Sequence, residues 1–164
     1  MTQSLVSFAL VFTGISAYAH NGVHHAHSNA EQVKSAPESK SVFEAINQEY
    51  LQNVKSILQR SCFDCHSQNT KFPWYHSVPL IGGWMEGDVR EAQTHLDFTF
   101  GFPFKGHGTP EEDLKAIRDV IADESMPPWR YRILHGETKM TKEERERIIA
   151  WTRASEEALH RSKP

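Results

Sequence analysis

The chain has 164 residues, 38% of them hydrophobic and 24% charged, with 18 basic and 21 acidic side chains and a net charge of −3. That length predicts one domain, and a mean hydropathy of −0.56 predicts a polar, largely helical one. The charges form no basic stripe, which argues against nucleic acid as a partner.

Residues 1–19 carry no charged side chain, and Leu5 to Ile15 is an apolar run of signal-peptide length. Ala17-Tyr18-Ala19 supplies the small-x-small pattern, so cleavage is expected before His20, although Lys and Arg are missing from the first residues. The run falls short of the ~20 apolar residues of a spanning helix. Export to the periplasm is the expectation, with no stable membrane insertion. Residues 20–40 are polar and hold His20, His24, His25 and His27, and they read as a flexible linker. The histidines could bind a transition metal, or the segment could be a solvated tail.

The folded domain is expected over 41–160. Ser41 and Glu44 read as a capping box, and Phe43, Ile46, Tyr50, Val54, Ile57 and Leu58 recur at helical spacing up to a Cys-x-x-Cys-His. Residues 67–87, with Pro73, Pro79 and Gly82-Gly83, read as loop, and a second helix is expected from Asp88 to about Phe98. Thr109, Pro110 and Glu112 mark the start of a third helix, with Leu114, Ile117, Val120 and Ile121 as its buried stripe; Pro127-Pro128 stops it near Met126. Thr141 with Glu144 opens a fourth, through Ile148, Trp151 and Ala154 to near Leu159. No strand of convincing length appears. Four helices with long loops is the predicted architecture.

Cys62-Phe63-Asp64-Cys65-His66 contains both cysteines of the chain. A zinc site would be a ligand short, with no second pair at zinc-module spacing. A thioredoxin-like redox pair should open a helix after a strand, and here a helix precedes it. Covalent haem attachment accounts for the whole motif. Cysteines at i and i+3 share one side of a helical turn, so both can bond the vinyl groups along one porphyrin edge, and the next residue, His66, is carried under the ring to reach iron.

For the opposite face of the iron the best candidate is Met126, in Met126-Pro127-Pro128-Trp129, since a thioether on a rigid turn is a soft ligand. Its rivals are His76, His95, His107 and His135; Met85 and Met140 read as core filler. Phe72, Trp74, Tyr75, Phe98, Phe100, Phe102, Phe104, Trp129 and Tyr131 could cover a porphyrin or simply form an aromatic core. Lys71, Arg130 and Arg132 are candidate partners for haem propionates.

Cys62-Phe63-Asp64-Cys65-His66-Ser67 with Thr70 and Pro73-Trp74-Tyr75, then Met126-Pro127-Pro128-Trp129 with Tyr131, Leu134 and His135, the Thr-x-x-Glu opening of the last helix and Trp151 resemble the bacterial haem-binding domain proteins. The likeness covers about residues 42–156. It implies an all-α, cytochrome-c-like fold wrapped around one covalent haem c, with His66 and Met126 as metal ligands. Cys62, Cys65, Trp74, Trp129 and Arg130 complete the expected haem-binding set. The first functional expectation is a periplasmic monohaem cytochrome that passes single electrons between redox partner proteins and is not an enzyme. The alternatives are a haem-based sensor or peroxidase-type protein with an open or displaceable sixth position, using His76 or His107 as acid–base groups, and a metal-handling protein led by the histidine tail.

Overall fold

A computed structural model describes residues 32–163, with side chains from residue 40 onward. The expected signal peptide and the four linker histidines lie outside the described residues. The chain is all-α. Its only strands among the described residues are two-residue pieces, β1 (Leu96–Asp97) and β2 (Lys105–Gly106), paired antiparallel with Leu96 opposite Gly106.

The four expected long helices are present with shifted boundaries, and shorter ones lie between them. The first, α1 (Gln32–Glu49), begins nine residues before Ser41, so residues 32–40 of the expected linker are helical. Ser41 and Glu44 lie within the helix rather than capping it, because a box works only where the preceding residue leaves the helical region. A five-residue π segment, Tyr50–Val54, widens the helix before α2 (Lys55–Ser61), and α3 (Phe63–His66) follows after Cys62. The apolar stripe survives the widening: Ile46, Tyr50, Val54, Ile57 and Leu58 are all buried.

The second long helix, α4 (Ile81–His95), opens seven residues before Asp88 and takes in Gly82-Gly83. Gly82 is there for contact. A Cβ at that position would lie 2.4 Å from the His76 carbonyl oxygen, in the 3-10 turn Trp74–Ser77 that packs on α4.

Helices α5 (Pro110–Ala122) and α7 (Lys142–Arg161) both start with the expected capping boxes. Thr109 Oγ1 accepts from the Glu112 amide at 3.3 Å while Glu112 Oε2 accepts from the Thr109 amide at 2.8 Å. Thr141 and Glu144 repeat the exchange at 3.2 and 2.9 Å. Helix α5 stops at Ala122, short of Met126, where Asp123 caps it and Glu124 turns the chain at φ 58°. A helix that the pattern did not predict, α6 (Trp129–Leu134), begins directly after Pro128.

The core lies between α1–α2, α5 and α7, with Tyr50, Leu58, Leu114 and Ile148 fully buried. On α7 the inward face is Ile148, Trp151, Thr152, Ser155 and Leu159, while Ala154 is exposed because it falls off that stripe. Phe102 and Phe104 join Tyr50 and Trp151 in edge-to-face contacts of 5.2–6.3 Å, so these two phenylalanines belong to the core. No described helix is long and apolar enough to cross a membrane.

Candidate haem site

The Cys-x-x-Cys-His segment forms a tight helical turn: the Cys65 and His66 amides both donate to the Cys62 carbonyl, at 3.1 and 2.9 Å. The residues after it are tied to α4 and β1. Phe98 N donates to His66 O at 2.8 Å, Gln93 Nε2 to Ser67 O at 2.6 Å, and Gln68 N to Thr99 Oγ1 at 2.9 Å. The rings of Phe63 and Phe98 stack with centroids 5.9 Å apart. Side chains on this turn are therefore held from two directions.

His66 Nδ1 lies 2.9 Å from the Leu96 carbonyl oxygen. A carbonyl only accepts, so Nδ1 carries the proton and Nε2 is the basic nitrogen. Burial lowers the affinity of the ring for a second proton, only partly offset by that hydrogen bond, and the imidazole is neutral at pH 7. This is the state in which histidine ligates a metal, with the Leu96 carbonyl fixing the tautomer.

The turn forms one wall of a cavity of about 970 Å³. That is near the top of the range of about 300–1,000 Å³ for ligand pockets, which suits a large flat ligand rather than a small substrate. Cys62, Cys65 and His66 line it from one side. Ile117, Val120, Ile121 and Met126 line it from α5 and the turn beyond, and Ile81, Met85, Val89 and Ala92 from α4. Ser61 is also on the wall, and its Oγ is buried without a hydrogen-bond partner in the protein. Two thiols, a neutral imidazole, a thioether and an apolar slot of this size fit a haem.

Both thiols are free. Burial, reinforced by Cys65, pushes the Cys62 thiol up to about 12; burial and the carboxylates of Asp64 and Asp88 also raise Cys65, against Arg130. Protonated thiols are poor metal ligands and poor partners for disulfide exchange. Among the described residues, no group of three or more His, Cys, Asp or Glu is placed to hold a metal ion.

The expected site residues divide. Cys62, Cys65, His66, Met126 and Arg130 meet at the cavity, as do Lys71, Phe72, Tyr75, Phe98 and Tyr131. Trp74 and Trp129 do not line it; they are 84% and 69% exposed. Both follow a proline at the start of a short helix, which turns them to the surface. Arg130 pairs with Asp88 at 3.0 Å, and Arg132 lies off the cavity beside Lys139 and Arg145. Phe100 is exposed under Lys105.

Of the rival histidines, His76 bonds Glu86 at 3.0 Å and does not line the cavity, nor does His135. His95 and His107 do line it, with His107 Nε2 only 2.6 Å from His95 Nδ1. Sequence reasoning missed that pairing, along with the wall positions of Met85 and Asp113, because it assigned 67–87 to loop and could not see the β1–β2 hairpin. It also missed two polar links beside Cys65: Tyr131 Oη donates to Asp64 Oδ2 at 2.8 Å, and Tyr75 Oη lies 2.7 Å from His135 Nε2.

Residues 14–154 match the model of the haem-binding domain family. The chain is also 26% identical over 149 residues to a cytochrome c peroxidase of Escherichia coli (strain K12), an alignment covering 90% of this chain and 30% of that relative. No solved structure matches it. The match over most of the chain, centred on a cavity suited to a porphyrin, makes this protein a member of the haem-binding domain family.

Proposed function

We propose that the cavity holds one haem c, bonded through Cys62 and Cys65 and ligated by His66 and Met126, in a periplasmic protein that carries single electrons. The observation that carries this reading is the His66 Nδ1 bond to Leu96 O on the cavity wall beside both cysteines. It dedicates one ring nitrogen to the fold and reserves the other. When bound, the haem supplies the one-electron couple. The residues of this chain do the rest. The apolar walls from α4 and α5 exclude water, Lys71 and Arg130 provide charge for propionates, and the Met126 thioether favours the reduced iron and so a raised potential. Cys62 and Cys65 would hold the haem through thioether bonds, each made by adding S–H across a vinyl group.

A second reading is favoured by the peroxidase relative. Met126 is 38% exposed, and its amide is tied to Val120 O at 3.4 Å, a long bond. Were that turn to swing away, room for peroxide or a small ligand would open in the cavity, whose wall also carries the His95–His107 pair as candidate acid–base groups.

Expression in a host competent in cytochrome maturation tests the proposal. The carrier reading expects one haem per chain that survives acid-acetone extraction, low-spin spectra in both oxidation states, and a Met126→Ala variant that turns high-spin with a lower potential. A colourless denatured chain with two free thiols overturns covalent attachment. High-spin wild-type iron that binds cyanide readily selects the second reading.

A further inference from the structure

We propose that Tyr75 is a redox-active residue that gives one electron to the cavity while its phenolic proton passes to His135. This inference rests on the second reading above, in which the haem reacts with peroxide.

Tyr75 is on the cavity wall, and its Oη lies 2.7 Å from His135 Nε2. On the other side of the same ring, His135 Nδ1 is 3.2 Å from Glu137 Oε1. A carboxylate only accepts, so Nδ1 holds its proton toward Glu137 and Nε2 is the acceptor for the Tyr75 hydroxyl. The Glu137 carboxyl is held below its ordinary range by its own backbone amide and by His135, and it stays anionic beside an imidazolium. Phenol, imidazole and carboxylate thus form a line from the cavity wall to an exposed acid.

This arrangement meets the need of phenol oxidation. A phenol gives up an electron readily only if its proton can leave in the same event, and 2.7 Å is within proton-transfer range. Burial raises the Tyr75 phenol above its usual value, so no phenolate stands ready and the proton must be accepted when the electron goes. A second phenol, Tyr131, serves as an internal comparison. It also lines the cavity, but it donates to the Asp64 carboxylate. A carboxylate is by its chemistry a weaker base than an imidazole, which makes Tyr75 the easier phenol to oxidise. Tyr131 instead stacks on the His135 ring at 4.1 Å and 9°, fixing the plane of the acceptor.

The electrons balance from a ferrous haem and hydrogen peroxide. The O–O bond breaks with two electrons, one from iron, which becomes ferric, and one from Tyr75, which becomes a neutral phenoxyl radical. The phenolic proton moves to His135, and two solvent protons complete two waters.

The test is electron paramagnetic resonance on the reduced holoprotein, frozen after one equivalent of hydrogen peroxide, with peroxide consumption followed in parallel. The expected result is a tyrosyl signal that narrows with ring-deuterated tyrosine. It should be lost in Tyr75→Phe, retained in Tyr131→Phe and diminished in His135→Gln, with haem content unchanged throughout. Peroxide consumption with no tyrosyl signal, or a signal that persists in Tyr75→Phe, overturns the assignment and leaves the haem reading standing. A loaded haem that does not consume peroxide overturns the second reading and this proposal with it.

Discussion

Asp113 offers a prediction whose size follows from its surroundings. The residue sits on α5 at the cavity wall and is buried to 5% exposure, with its carboxylate against Gly108. Burial, with Glu112 adding to it and His107 opposing, pushes its carboxyl up to about 6 from an ordinary 3.8. The direction of the stability effect follows. Between about pH 4 and pH 6 the folded chain keeps a proton that the unfolded chain has already lost, so folding stability falls as pH rises, and the full penalty stands above pH 6. A gap of about two pH units corresponds to about 3 kcal/mol at most. The effective dielectric inside a protein is well above that of dry protein, which leaves about 1–2 kcal/mol. Asp113→Asn removes the charge at nearly constant shape. The variant should equal the parent at pH 4 and exceed it by that margin at pH 8, raising Tm by roughly 2–8 °C for a domain of this size. Urea unfolding of both chains at the two pH values is the assay. Equal stability at pH 8, or a difference that does not change with pH, refutes the argument.

Gly82→Ala should destabilise the fold by about 1–3 kcal/mol in urea melts, despite alanine's better helix propensity, because the new Cβ meets main chain rather than a flexible side chain. Gly83→Ala, with open space around it, should instead be neutral or stabilising. Thr109→Ala removes the cap of α5 and should cost about 0.5–2 kcal/mol, and Thr141→Ala a similar amount at α7, both read from denaturant midpoints. Ile148→Ala, at a fully buried site, should cost about 2–5 kcal/mol, whereas Ile133→Ala, on the exposed face of α6, should stay within about 0.5 kcal/mol. Equal effects at positions 148 and 133 would show that the core is not where the structure places it.

The sequence is most legible where the signal is local and complete. The capping boxes at Thr109 and Thr141 each contain both halves of a reciprocal bond, and the cysteine turn needs only five consecutive residues. Legibility fails where a residue type has two uses. Gly82 reads as a helix breaker, but its missing side chain lets the His76 backbone approach α4. Pro128 reads as a stop, yet it also precedes the start of α6. Ser41 and Glu44 match a cap pattern inside a helix that was already under way. The cavity brings together residues from 58 to 134, and its polar links are tertiary. No spacing rule could pair Tyr75 with His135 or His95 with His107.

The two sides of the cavity are built to different stiffness, and this bears on which chemistry the fold supports. His66 sits on a turn anchored by its own amide at 2.9 Å, by its carbonyl to Phe98 and by its ring to Leu96. Its position cannot change without breaking bonds to Cys62, Leu96 and Phe98. Met126 is held by one long main-chain contact to Val120 and by the neighbouring prolines, on a stretch between α5 and α6 whose side chain is partly exposed. If Met126 ligates iron as proposed, a six-coordinate carrier needs only that this turn stay closed, whereas a peroxide-reacting centre needs it to open. The difference between the two therefore lies in the free energy of one surface turn, a quantity that a few substitutions at Glu124, Ser125 or the Arg145–Glu124 ion pair can move. On the proposed ligation, electron carriage and peroxide chemistry would be two settings of the single turn that carries Met126.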